Sequence, residues 1–69
     1  MKKTIIIIGG SKSQTRFIGA AKRKGYVTLV FDKAANSPGA EISDYFLPIS
    51  TNNFKLIIKQ IELFKKSFR

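Results

Sequence analysis

The sequence lacks cysteine and histidine and has only four acidic residues among its 69. Without cysteine no disulfide bond can form, and without cysteine and histidine the usual ligands of a structural zinc site are missing. Catalysis at neutral pH draws mainly on histidine, cysteine or paired carboxylates. We therefore expect no enzymatic activity from these residues alone.

Long apolar runs are missing as well. The isoleucines that begin at Ile5 stop at Gly9, which is too short for the core of a signal peptide or for a membrane span. The length of the chain is that of one small domain, residues 1–69. We expect a cytoplasmic protein with no membrane partner.

Charge of one sign dominates the chain. Thirteen lysines and arginines give a formal net charge of +9, and such a charge gathered on one face would indicate a nucleic-acid binder. Here the basic residues are scattered from Lys2 to Arg69, many of them near predicted helix C-termini, where cations complement the helix dipole. The sequence thus favours a solvated basic surface and disfavours a nucleic-acid partner. A small basic module that binds nucleic acid or another polyanion remains the alternative.

The first half of the chain has the pattern of a β-α-β unit. Four consecutive isoleucines predict a strand over residues 3–8 that is covered on both faces, as in a parallel sheet. Gly9 and Gly10 predict a tight turn, and Ser11 or Ser13 is expected to cap a helix over 14–24. That helix should end at Gly25 in the left-handed conformation, before a second strand over 26–31.

The second half predicts a loop over 33–44, a short third strand over 45–49 and a last helix over 53–66. One stripe of that helix has the spacing of a core face: Phe54, Ile57, Ile58, Ile61 and Phe64. Leu56 and Leu63 lie off the stripe and indicate a second apolar face, which a missing domain or subunit would cover. The predicted fold is a small Rossmann-like α/β domain with a three-stranded parallel sheet, β-α-β-β-α, an incomplete doubly wound sheet.

Candidate ligand-binding residues lie where the first two strands end, because parallel α/β sheets bind ligands at that edge. They are Gly9, Gly10, Ser11, Ser13, Gln14, Asp32 and Ser37. A purely structural role, as turn and helix cap, stays open for the same residues, and Asp44 is expected to be a local turn or cap residue. A Rossmann-type nucleotide binder is a further alternative, although Ser11 and Gln14 stand where the dinucleotide fingerprint requires glycine.

Several segments resemble, in order, the opening of the ATP-grasp ligases. Residues 6–14 (IIIGGSKSQ) and 20–26 (AAKRKGY) are closest to the carbamoyl-phosphate-synthase-like and purine-carboxylase-like branch. Asp32 is similar to an aspartate of that family, and Ser37-Pro38-Gly39 is similar to its Ala-Pro-Gly loop. Ser11 and Lys12 depart from the third glycine and the proline that the family often has.

The resemblance implies that the chain is a pre-ATP-grasp domain, the N-terminal domain of such ligases. The complete ligase would activate a carboxylate as an acyl phosphate and pass it to an amine. ATP and magnesium would bind in downstream domains, so no cofactor is expected in this chain. The implied partners are the C-terminal ATP-grasp domains, a separate subunit or further copies of the chain.

Overall fold

The structure is a computed structural model that describes residues 3–67. The ends of the predicted domain, namely Met1, Lys2, Phe68 and Arg69, lie outside the described residues. Strands and helices alternate along the chain. The elements are β1 (Thr4–Ile8), α1 (Lys12–Arg23), β2 (Val27–Phe31), α2 (Pro38–Ile42), β3 (Tyr45–Leu47) and α3 (Phe54–Ser67).

The three strands form one parallel sheet in the order β1-β2-β3. In its register Ile6 lies opposite Leu29, and Leu47 lies opposite Phe31. The predicted small α/β fold with a three-stranded parallel sheet is therefore confirmed, and it is compatible with a Rossmann-like fold. β3 ends directly before Pro48, which has no N–H to donate to a strand ladder.

The central strand β2 is buried on both faces. Val30 packs against Ile18 of α1 on one face, and Leu29 and Phe31 pack against Ile57 of α3 on the other. All three β2 side chains are fully excluded from solvent. Helices thus cover the central strand from both sides, the environment in which a continuous apolar strand is stable.

The edge strand β1 departs from the prediction that both its faces would be covered. Ile7 is buried on the α1 side, but Ile6 and Ile8 are 40% and 45% exposed. The reason is that the apolar contacts of α3 lie with β2 and β3, so the α3-side face of β1 has no covering helix within residues 3–67. The outer edge of β1 pairs with no strand of that range either.

The prediction of a continuous loop over 33–44 is wrong, because the short helix α2 forms within it. Ser37 is its N-cap residue and Pro38 its first residue, and the fixed φ of proline suits a helix start. The N–H of Gly39 donates to the carbonyl of Gly10 at 2.7 Å, which holds α2 against the turn after β1. The element order is therefore β-α-β-α-β-α.

The predicted core stripe of α3 is buried only in part. Three of its five members pack toward the sheet: Ile57, Ile61 and Phe64. Phe54 and Ile58 are exposed, because their flank of the helix lies outside the contact with β2 and β3. Leu56 and Leu63, which the sequence assigned to a second apolar face, are exposed as well.

Asp44 joins the start of β3 to the buried Thr28 of β2. Its Oδ2 accepts hydrogen bonds from the Thr28 N–H at 2.8 Å and from Thr28 Oγ1 at 3.2 Å. The Asp44 N–H in turn donates to Thr28 Oγ1 at 2.9 Å. These contacts span 16 residues, so the expected local turn or cap role of Asp44 is wrong.

Candidate functional site

The turn between β1 and α1 lies at the carboxyl edge of the sheet and depends on glycine. Gly9 has a φ of +103°, a conformation that residues with a side chain rarely adopt. Its N–H donates to the carbonyl of Phe31 at 2.7 Å, which extends the pairing between β1 and β2 by one residue. The turn is thereby fixed to the ends of two neighbouring strands.

The next residue, Gly10, lies in a close contact between three segments of chain. A Cβ at position 10 would approach Ser37 Oγ to 2.9 Å, and a Cβ at Gly39 would approach the Gly10 Cα to 2.8 Å. Both positions therefore require glycine, and α2 rests directly on the turn. Ser37 Oγ is buried, and among the described residues it has no hydrogen-bond partner.

Asp32 follows β2 and faces the same turn. Its Oδ2 accepts a hydrogen bond from the Gly10 N–H at 2.8 Å, and its Oδ1 accepts one from the Ala34 N–H at 3.1 Å. The bond from Gly10, followed by that from Ala34, lowers the pKa of Asp32 below its usual range, against an opposing effect of burial. At neutral pH the turn therefore holds a fixed negative charge.

The structure brings the predicted site residues to one corner, with different roles. Four of them surround the turn itself: Gly9, Gly10, Asp32 and Ser37. Gln14 lies on the first turn of α1, and its Nε2 is 4.0 Å from where a Cβ of Gly9 would stand.

The prediction that Ser11 or Ser13 caps α1 is confirmed for the position and not for the bond. Ser11 is the N-cap residue, but it makes no side-chain cap bond, and its hydroxyl lies 3.0 Å from the Ser13 hydroxyl.

Sequence reasoning missed Gly39 as part of this corner. A signal was present, since a serine followed by proline is a typical helix start, and a glycine inside so short a helix indicates a close approach. What could not be predicted is the partner of that approach, Gly10, because it lies far away along the chain.

The chemistry of the corner differs from that of a phosphate-binding loop. The N–H of Gly10, which would serve an anion, already donates to the carboxylate of Asp32. A phosphate placed there would compete with that bond and meet a like charge. The arrangement favours a ligand that donates hydrogen bonds, such as an amine or a hydroxyl group, with the free lone pairs of Asp32 as acceptors.

Removal of the Asp32 carboxylate is expected to cost about 2 kcal/mol of unfolding free energy, because Asp32→Ala leaves the buried Gly10 N–H without an acceptor. The pH dependence has a defined sign. Since folding lowers the pKa of Asp32, its contribution is complete above the unfolded pKa of about 3.9 and disappears as the pH falls through the folded pKa.

Urea unfolding of Asp32→Ala and the unmodified chain at neutral pH measures the loss. Asp32→Asn, unfolded at neutral pH and in acid beside the unmodified chain, tests the pH dependence, and the stability gap between these two should close in acid. Glu41→Gln removes an exposed carboxylate and serves as the control. A gap that persists below the folded pKa would contradict the assigned hydrogen bonds.

No family model, curated protein or solved structure matches this chain. Its class is defined by the fold alone, a small α/β domain with a three-stranded parallel sheet. None of the helices within residues 3–67 has the length and apolar character to cross a membrane. The same range contains no group of three or more histidine, cysteine or acidic residues that could hold a metal ion.

Proposed function

We propose that the chain is the pre-ATP-grasp domain of an ATP-dependent carboxylate–amine ligase of the carbamoyl-phosphate-synthase-like kind. It serves as the acceptor-substrate side and packing surface of that ligase and has no activity alone. ATP and magnesium bind in the ATP-grasp domains, which are carried by the same polypeptide or by a separate subunit. The ordered resemblance of the glycine turn, Asp32 and the Ser-Pro-Gly segment is the basis of this proposal.

The observation that supports it most strongly is the open side of the sheet. β2 is covered on both faces, yet the outer edge of β1 pairs with no strand among residues 3–67, and its Ile6 and Ile8 are half-exposed. In doubly wound folds of strand order 3-2-1-4-5-6, the first strand is internal and a further strand pairs with its other edge. An edge strand of isoleucines without a charge or a proline is otherwise prone to aggregation.

The corner at Asp32 supports a role on the acceptor side. A carboxylate fixed next to a backbone turn accepts hydrogen bonds from an amine more readily than it admits a phosphate. This matches the amine half of the reaction rather than its ATP half.

The test is purification of the tagged chain under native conditions from the cells that produce it, with the mass of every component determined. We expect a polypeptide with ATP-grasp domains, either continuous with the chain or bound to it, and ADP release that requires both a carboxylate and an amine. Replacing Ile6 and Ile8 by lysine places charges in the expected interface, where each buried charge costs several kcal/mol. If the ATP-grasp domains form a separate subunit, its recovery should fall at least about tenfold. If they are continuous with the chain, the ligase activity should fall by the same factor.

Phe17→Lys is the control, since it places a lysine at an exposed apolar position on the opposite side of the sheet, and the single variants Ile6→Lys and Ile8→Lys match it in charge. A native species near 7.7 kDa without a partner would contradict the proposal. So would a partner whose complex releases no ADP in the presence of any carboxylate and amine pair.

A further inference from the structure

Helix α1 carries a solvent-exposed surface that is basic and free of acidic residues. Its sequence contains no aspartate or glutamate. The cations on this surface are all exposed, and together with their helix they form what we call the basic face of α1: Lys12, Arg16, Arg23 and Lys24. These residues span 13 positions of the sequence, and the helix brings three of them to one side.

The helical geometry aligns three of the four. At 3.6 residues per turn, Lys12, Arg16 and Arg23 fall within about 40° of one another, roughly 140° away from the buried Ile18. The guanidinium of Arg23 extends back toward Gly19, one turn earlier in the helix, and its Nη1 lies 3.4 Å from the position that a Cβ of Gly19 would occupy. Since Gly19 has no side chain, the guanidinium has room to lie over that turn.

The first turns of the same helix border a shallow, open depression of the surface. Its lining residues are Lys12, Ser13, Thr15 and Arg16. Two cations beside hydroxyl groups are the combination that contacts phosphate oxygens in nucleic-acid complexes. The planar guanidinium of arginine adds bidentate recognition of phosphate.

An aromatic side chain borders this surface. Phe17 is 52% exposed and does not belong to the core around Ile18. On the helix it points about 100° away from Arg16 and within about 20° of the direction of Lys24, which lies two turns or about 10 Å further along the axis. An exposed ring at this distance from the cations provides a stacking platform for an unpaired base.

Asp32, Asp44 and Glu62 lie away from the basic face, whereas the exposed Glu41 is on α2, the short helix that packs next to α1. Lys22 does not belong to the basic face, because its Nζ donates to the carbonyl of Ile42 at 2.8 Å and lies 3.7 Å from Asp44. Glu62 is on α3, on the opposite side of the sheet. Asp32 is held by backbone N–H groups at the turn.

From this arrangement we propose that the basic face of α1, with Phe17, binds single-stranded nucleic acid through its phosphates and one stacked base. This goes beyond the proposed ligase function and is independent of it, since it uses neither the turn at Asp32 nor the open side of β1. A membrane surface is the poorer match, because Phe17 is the one large apolar side chain that this exposed face offers for insertion into lipid.

The charge contribution is tested with the full chain by fluorescence anisotropy. The probes are labelled oligouridylate and oligodeoxythymidylate of about 12 nucleotides, within the range of small single-strand binding sites. Four phosphate contacts predict a slope of log affinity against log salt of about −2.8. The variant Lys12→Gln/Arg16→Gln/Arg23→Gln should reduce the magnitude of that slope by about 2.

The matched control is Lys55→Gln/Lys59→Gln/Lys65→Gln, which removes the same charge from exposed positions of α3. It should change the slope by no more than about 0.7 relative to the unmodified chain, which is the contribution of one phosphate contact. Circular dichroism establishes that both variants are folded.

The stacking contribution has a different signature. Phe17→Ala should weaken binding about tenfold without changing the salt slope, because stacking releases no counterions. Phe54→Ala, which removes an exposed ring from α3, is the control and should leave the affinity unchanged. Comparison of the two probes distinguishes RNA from DNA as the preferred ligand.

Three outcomes would overturn the proposal. They are equal salt slopes for the α1 and α3 triple variants, unchanged affinity for Phe17→Ala, and binding to phosphatidylserine vesicles without binding to either oligonucleotide. The outcome of the ligase experiment bears on none of them.

Discussion

Gly39→Ala is expected to destabilise the protein by about 3 kcal/mol. The added Cβ would lie 2.8 Å from Gly10 Cα, 3.0 Å from the Gly10 carbonyl oxygen and 3.0 Å from Ile18 Cδ1. Two of these atoms are backbone, so relief requires separation of α2 from the turn. That movement would also break the 2.7 Å hydrogen bond between the Gly39 N–H and the Gly10 carbonyl.

The size of this loss matters because the domain is small. At about 0.05–0.15 kcal/mol per residue, a chain of this length has roughly 3–10 kcal/mol of total stability. The higher helix propensity of alanine offsets only about 1 kcal/mol of the lost stability. Urea unfolding should therefore find Gly39→Ala largely unfolded or close to it.

Gly19→Ala provides the matched control. Its Cβ would meet only Arg23 Nη1, at 3.4 Å, and the far end of a flexible side chain can move away. Because Gly19 lies in the interior of α1, alanine there should raise the unfolding free energy by about 0.5–1 kcal/mol. Equal effects at the two glycines would mean that α2 does not pack on the turn.

The second large effect is expected at Asp44, where Asp44→Ala should cost about 3 kcal/mol. Its carboxylate accepts hydrogen bonds from both the N–H and the hydroxyl of Thr28, and Thr28 is fully excluded from solvent. Without the carboxylate these buried donors lose their partner, a loss of about 1–3 kcal/mol for each unsatisfied group. The backbone bond from Thr28 is also the main reason that the pKa of Asp44 lies below its usual value.

A comparison with Lys22→Gln separates these hydrogen bonds from the neighbouring ion pair. Lys22 Nζ lies 3.7 Å from Asp44 Oδ1, and both side chains are partly exposed. Such a pair contributes about 0–1 kcal/mol, so Lys22→Gln should change the unfolding free energy by less than Asp44→Ala does. If Lys22→Gln lowered the unfolding free energy as much as Asp44→Ala does, the stability would come from the ion pair and not from the hydrogen bonds to Thr28.

Elements with a strong local pattern could be predicted from the sequence. The isoleucine run, the glycines after it and the Lys-Arg-Lys-Gly end of the first helix placed β1, the turn and α1 within about two residues of their observed bounds. Gly25 adopts the predicted left-handed conformation, with a φ of +90°. Asp32 was assigned to the carboxyl edge of the sheet because parallel strands end there together.

Three of the misplaced features depend on contacts between distant segments. Ile6 and Ile8 have the composition of a strand buried on both faces, and only the position of α3 over β2 and β3 leaves them exposed. The helix α2 has five residues, too few to be stable by propensity alone, and it persists by resting on Gly10. The residues next to Asp44 and Thr28 in the sequence do not indicate the hydrogen bond between the two.

The sequence by itself determined the three strands, the helices α1 and α3, the parallel arrangement and the location of the turn, because these follow from apolar periodicity and from the conformational freedom of glycine. Tertiary structure decided which apolar faces stay open and which carboxylate holds which N–H. Those features depend on distances between residues far apart in sequence, and only the packing of helices against the sheet sets such distances.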